Sequence, residues 1–258
     1  MRGWMCVLVI LGVSGHGICV PFSVEVTPDA DAFVRSLDPT HNYGLAGGLA
    51  VSGSAAKNGS GTQMGLLDTF MQFAAADLVS KMDGNFHGHD WVIEEVVLKL
   101  TEQGKPNNPI FNRGVGSFEV RWIANDSWSE GTGMPNAPTT DGVTYQNEPS
   151  ILDPLNDVSL GTFANAGTDV PLSFELGLAN AFLADLEAGG LVSFFLTAAS
   201  DSIGFTFNSR NIGSPRLPPT LEITADARAP IPEPATLALF AAGLVFLRPR
   251  SRRPRGQS

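Results

Sequence analysis

Phe118-Glu119-Val120-Arg121-Trp122-Ile123 alternates apolar and charged side chains. Successive side chains of an extended segment point to opposite faces, so this stretch predicts a strand with one buried and one wetted face. Working outward, Trp91 to Leu100 is long and rich in β-branched residues, and Leu191 to Ala198 is apolar on both faces, as a central strand would be. Ala32-Phe33-Val34-Arg35, Leu49-Ala50-Val51-Ser52, Ile203 to Phe207 and Leu221 to Thr224 are further short strands, set off by Gly, Asn, Asp and Pro. Thr69 to Val79 reads as a strand followed by a short helical turn. Ala179 to Ala188 places Phe182, Leu183 and Leu186 on one helical face, with Gly189-Gly190 as its stop. No internal repeat occurs, and the first Pro-rich linker is at Ala229-Pro230, so residues 29–226 read as one domain. The expected fold class is all-β: a single antiparallel β-sandwich, jelly-roll-like, over residues 24–228.

Composition agrees with a β domain rich in turns. The 258 residues include 28 Gly, 18 Pro and 16 Phe; 43% are hydrophobic and only 16% charged. Residues 29–226 hold 24 Asp and Glu against 9 Lys and Arg, a net of −15, which disfavours nucleic acid and anionic polymers as partners. The acidic surface aids solubility; calcium is the one cofactor it could hold, given converging oxygens. Both cysteines, Cys6 and Cys19, lie in or at the edge of the N-terminal leader, so the body has no disulfide framework.

The two ends carry signals. Arg2, the apolar run Met5 to Val13 and the small residues after it follow the plan of a secretory signal peptide, assigned to residues 1–23, with cleavage by signal peptidase between Gly17 and Ser23. At the other end, over residues 229–258, three parts follow in order. Pro232-Glu233-Pro234 is stiff, Ala235 to Leu247 is a wholly apolar run suited to a short transmembrane helix, and Arg248, Arg250, Arg252, Arg253 and Arg255 form a basic cluster. Arginines beside an apolar segment stay cytoplasmic, which leaves the body outside. The run of 13 residues is short against the roughly 20 that span a bilayer, so the neck and snorkelling arginines must supply length.

Pro232 to Arg255 resembles the PEP-CTERM sorting signal. The resemblance implies recognition by exosortase, a membrane protease that cuts near Pro232-Glu233-Pro234, and a product that ends at the cell surface or in the extracellular matrix, often amid exopolysaccharide. The body resembles the DNRLRE-type domain, a jelly-roll-like sandwich grouped with carbohydrate-binding modules. The resemblance rests on Asp31-Ala32-Phe33-Val34, Asn42-Tyr43-Gly44, Asp126-Ser127-Trp128-Ser129-Glu130, Val143 to Pro149, Phe207-Asn208-Ser209-Arg210 and Pro218 to Ile223. Tyr145 stands where that family often has Trp, and Gly131 to Asp141 is an added polar insertion.

Few residues suggest chemistry. Trp128, Glu130 and Tyr145 are the candidate ligand-binding residues: aromatic faces stack on sugar rings while polar neighbours orient them. The alternative role for Trp128, and the one its apolar bulk favours, is to plug the end of the sandwich core. Asp126 and Glu130 could pair as hydrolytic carboxylates or cap turns. Arg210 reads as a structural arginine paired with a buried carboxylate. His87 and His89 are the candidate metal ligands, pointing the same way if the segment is extended; the alternative is a polar loop. No G-x-S-x-G elbow or H-E-x-x-H occurs. The expectation is an exported, non-enzymatic surface or matrix protein with a structural or adhesive role and no cofactor, held transiently in the inner membrane by its tail. A carbohydrate-binding module and a secreted polysaccharide-degrading enzyme are the alternatives.

Overall fold

The computed structural model describes residues 21–58, 60–87, 91–103, 114–165 and 171–228. The chain divides into two compact units, Met1–Ala227 and Arg228–Ser258. The leader up to residue 20, His89, the Pro232-Glu233-Pro234 motif, the apolar run 235–247 and the five tail arginines lie outside the described residues. Among the described residues no helix is long and apolar enough to cross a membrane.

The elements in chain order are β1 (Phe22–Val26), β2 (Ala30–Arg35), β3 (Gly48–Ser52), β4 (Leu67–Ala74), α1 (Ala76–Asn85), β5 (Trp91–Thr101), β6 (Gly116–Ile123), β7 (Val158–Asn165), β8 (Pro171–Glu175), α2 (Asn180–Ala188), β9 (Leu191–Ala198), β10 (Gly204–Asn208) and β11 (Thr220–Ala227). They form two antiparallel sheets. The smaller runs β1-β11-β5-β8; the larger runs β10-β3-β4-β9-β6-β7, with β2 also paired to β4. This is the all-β, two-sheet arrangement expected of a sandwich. β1 takes in Phe22 and Ser23, which pair with Ala225 and Thr224. The strands β1, β7 and β8 had no counterpart in the sequence reading, and the helical turn after β4 extends to ten residues as α1.

Alternation explains which side chains meet. On β6, Phe118, Val120 and Trp122 enter the main core, while Ile123 faces the other way into a second cluster. On β4, Leu67, Met71 and Phe73 join the main core and Phe70 joins the second. In β5 the apolar positions shift phase between Ile93 and Val96. A bulge opposite Thr224/Ala225 absorbs the shift, letting Glu94 and Glu95 both remain exposed. The main core is aromatic: Phe118 lies 5.1 Å from Phe174 of the smaller sheet, edge to face, and 5.2 Å from Phe205 of β10. Each fully buried phenylalanine contributes about 1.5–3 kcal/mol. Both helices bury residues four apart, Leu78 and Met82 in α1 and Phe182 and Leu186 in α2, and α2 stops at Gly189 with φ 70°.

The feature that positions the candidate site is the long connection from β6 to β7, residues 124–157. Its Trp128, Val143 and Ile151 pack with Ala32, Val34, Phe70, Ile123 and Phe195, which lie on the face of the larger sheet turned away from the main core. This cover buries Phe195 on the face of β9 opposite Val192, Phe194 and Leu196.

Candidate functional site

Four separated pieces of the sequence meet where the 124–157 segment crosses β2. Asp31, fully buried at the start of β2, accepts hydrogen bonds from the Ser209 hydroxyl at 2.8 Å and the Arg210 amide at 2.6 Å, and its own amide donates to Glu130 Oε1 at 3.1 Å. Arg210 grips Glu130 with both prongs: Nε to Oε1 at 2.7 Å and Nη2 to Oε2 at 2.5 Å. Asn211 Nδ2 donates to Gly44 O at 3.0 Å and to Glu130 Oε1 at 3.2 Å. Beside this clamp, buried Asn42 fills all its capacity, donating to the carbonyls of Glu130 and Val143 and accepting from the amides of Gly44 and Gly133. Only glycine fits at position 44, where an added Cβ would lie 2.2 Å from the Glu130 carbonyl oxygen. Burial pushes the Asp31 carboxyl up to about 7, against the opposing bonds from the Arg210 amide and Ser209.

A second polar group sits farther along the covered face. Ser193 of β9 receives the indole N–H of Trp128 at 3.0 Å and Gln72 Nε2 of β4 at 3.2 Å. Gln72 also donates to the Asp126 carbonyl at 2.9 Å. The Asp126 carboxyl is raised by burial, opposed by its bond with Ser193. A third group contains Asp68, Tyr145 and Glu148. Asp68, on the covered face of β4, is raised to about 6 by burial, opposed by a bond from Thr197. Glu148, at the start of a 3-10 turn (Glu148–Ser150), is raised to about 8 by burial and then by the charge of Asp68. The Tyr145 phenol is raised by burial and by both carboxyls.

The three candidate ligand residues take separate polar partners, although Tyr145 packs against the apolar cluster that holds Trp128. Glu130 is committed to Arg210. Tyr145 lies partly buried beside Asp68 and Glu148. Trp128 is only 8% exposed, its ring 5.6 Å from Phe70 and its N–H turned inward. Asp126 and Glu130 engage different partners, Ser193 and Arg210. Trp128 does line an open groove of about 260 Å³ with Asn125, Ser127, Ser129, Asn147 and Ser150, none of them charged. His87 has φ 54° just past the end of α1, so the extended pairing with His89 does not start there. Among the described residues no group of acids, histidines or cysteines is placed to hold a metal.

Asp68, Gln72, Ser193 and Glu148 escaped the sequence reading. Their signal was present: Asp68 and Gln72 interrupt an otherwise apolar strand at the spacing of one face. The sequence reading took only Thr69 to Val79 as a strand and turn and assigned it no faces, because nothing local announces that a segment more than fifty residues downstream covers one of them.

No curated protein matches the chain. A solved structure of Mud crab tombus-like virus is similar over 93% of this chain and 96% of that one, at 10% identity and a TM-score of 0.25, a score that supports no argument. The family comparison falls on the tail: residues 230–253 match the PEP-CTERM protein-sorting motif.

Proposed function

We propose that this chain is an exported surface or extracellular-matrix protein with a non-catalytic, structural or adhesive role in association with exopolysaccharide. The observation that carries this reading is the PEP-CTERM match at residues 230–253, which supports export and sorting by exosortase, a membrane protein. The rest extends it. The N-terminal leader is removed by signal peptidase, the tail holds the chain briefly in the inner membrane, and the cut near Pro232-Glu233-Pro234 delivers the body to the surface. The DNRLRE-type reading of the body draws support from the clamp, where the opening acidic strand, the Asn42-Tyr43-Gly44 turn, the tryptophan-acid loop and the closing Ser-Arg come together. A structural role fits carboxylates spent on fastening loops.

Intact-mass measurement of surface material tests the sorting. The expected mature chain lacks Arg248 to Arg255, and replacing Pro232-Glu233-Pro234 with alanines should leave them attached. Mature protein that keeps the arginines would sink this reading.

The uncharged groove beside Trp128 favours one second reading, a carbohydrate-binding module. Its polar rim suits a neutral, hydroxyl-rich ligand. A glycan array compared with the Asn125→Ala and Ser150→Ala variants distinguishes it: binding lost with an unchanged melting temperature supports recognition, and no binding by the native protein rejects it.

A further inference from the structure

We infer that Asp68 and Glu148 form a proton-operated clasp that fastens the 124–157 segment to the covered face of the larger sheet. The two carboxyls belong to the two parts being joined. Asp68 is fixed on β4 and only 5% exposed. Glu148 belongs to the segment, and its Oε2 is buried with no hydrogen-bond partner among the described residues. A buried, unpartnered carboxylate oxygen is costly when charged and tolerable when protonated.

Glu148 is also tied to the turn that seats the segment. Its amide donates to Thr144 O at 3.0 Å, and its carbonyl accepts from Ile151 at 2.9 Å and Leu152 at 3.2 Å. Ile151 packs with Phe70 and Phe195. Whatever displaces Glu148 therefore pulls on the apolar contacts of the cover.

Burial and a bond from Thr197 act on Asp68, and burial and the charge of Asp68 act on Glu148, with no cation among these influences. The surrounding elements place other groups there. β9 offers only the Thr197 hydroxyl. β2 ends in Arg35, which is bound to Asp38. β6 carries Glu119 and Arg121 on its covered side, and Arg121 donates to Asp157 O at 3.3 Å. The segment itself adds the Tyr145 phenol. With at least one proton on the pair the carboxyls tolerate each other. Above the upper titration, near 8, both are charged, buried and unopposed, and the segment loosens over Phe70, Phe195 and Trp128.

Hydrogen exchange on the purified protein at pH 5.5, 7 and 9, corrected for intrinsic rates, tests the clasp. The amides of Gln146, Ile151 and Leu152 should lose about tenfold or more of their protection between pH 5.5 and 9, while those of β5 and β11 hold theirs. Glu148→Gln should abolish that loss. Asp31, which titrates at the other end of the segment, is intact in this variant and cannot mimic the result. Asp68→Asn serves as a second variant and should diminish the loss without abolishing it, because the burial of Glu148 remains. Protection independent of pH, or a loss that persists undiminished in a folded Glu148→Gln or Asp68→Asn protein, overturns the inference.

Discussion

Arg210→Ala removes the fork that closes the clamp and leaves the carboxylate of Glu130 in place. The Glu130 side chain is 12% exposed and that of Arg210 34%. Breaking a fully buried pair from one side costs about 3–5 kcal/mol, and the partial exposure of the guanidinium reduces this to about 2–3 kcal/mol. The bare Glu130 charge also acts on Asp31, which already carries a burial penalty. For a domain of roughly 200 residues each kcal/mol moves the melting temperature by about 2–4 °C, so scanning calorimetry should show a fall of about 4–12 °C. Arg210→Lys keeps the charge without the fork and should recover about half of that loss. In a double-mutant cycle with Glu130→Gln, the coupling should exceed about 1 kcal/mol. A melting temperature within about 1 °C of the native protein, or strictly additive single changes, would show that the fork only decorates the surface.

Other outcomes follow from the same geometry. Asp31 is raised to about 7 from an ordinary 3.8, so the folded state binds the extra proton between those values. Its contribution is complete below about pH 4 and lost as pH rises through 7, and urea titrations should find the native protein more stable at pH 5 than at pH 8, with a smaller difference in Asp31→Asn. Gly44→Ala drives a methyl to 2.2 Å from the Glu130 carbonyl and should cost about 3 kcal/mol, read from chemical denaturation; a neutral result would mean that the turn relaxes freely. Trp128→Phe removes the bond to Ser193 and some packing against Phe70, with an expected loss of about 2 kcal/mol in the same assay.

Much of the sandwich was legible because its strands obey local rules. Leu191 to Ala198 was readable from two-sided apolarity and is β9 to the residue, and Gly189-Gly190 marked the end of α2. The strands that escaped, β1, β7 and β8, carry little buried apolar surface; in β1 only Val24 is buried. In β7 only Leu160 and Asn165 are buried, and in β8 only Phe174, so periodicity had almost nothing to register. The site was harder to read. Arg210 could be assigned a buried carboxylate in principle, but the identity of that partner, Glu130, depends on a contact across 80 residues. Trp128 had two equally local readings, and only the covering segment decides that its ring faces Phe70.

The first and last strands of the body lie side by side, with Phe22 opposite Ala225. β11 is held between β1 and β5, so traction transmitted through residue 228 enters an inner strand with a ladder on either flank. Tugging a border strand opens its hydrogen bonds one after another, whereas drawing out an inner one must shear two ladders together. A body held by its C-terminal end would therefore meet hydrodynamic drag through a strand laddered on both flanks rather than through a border strand.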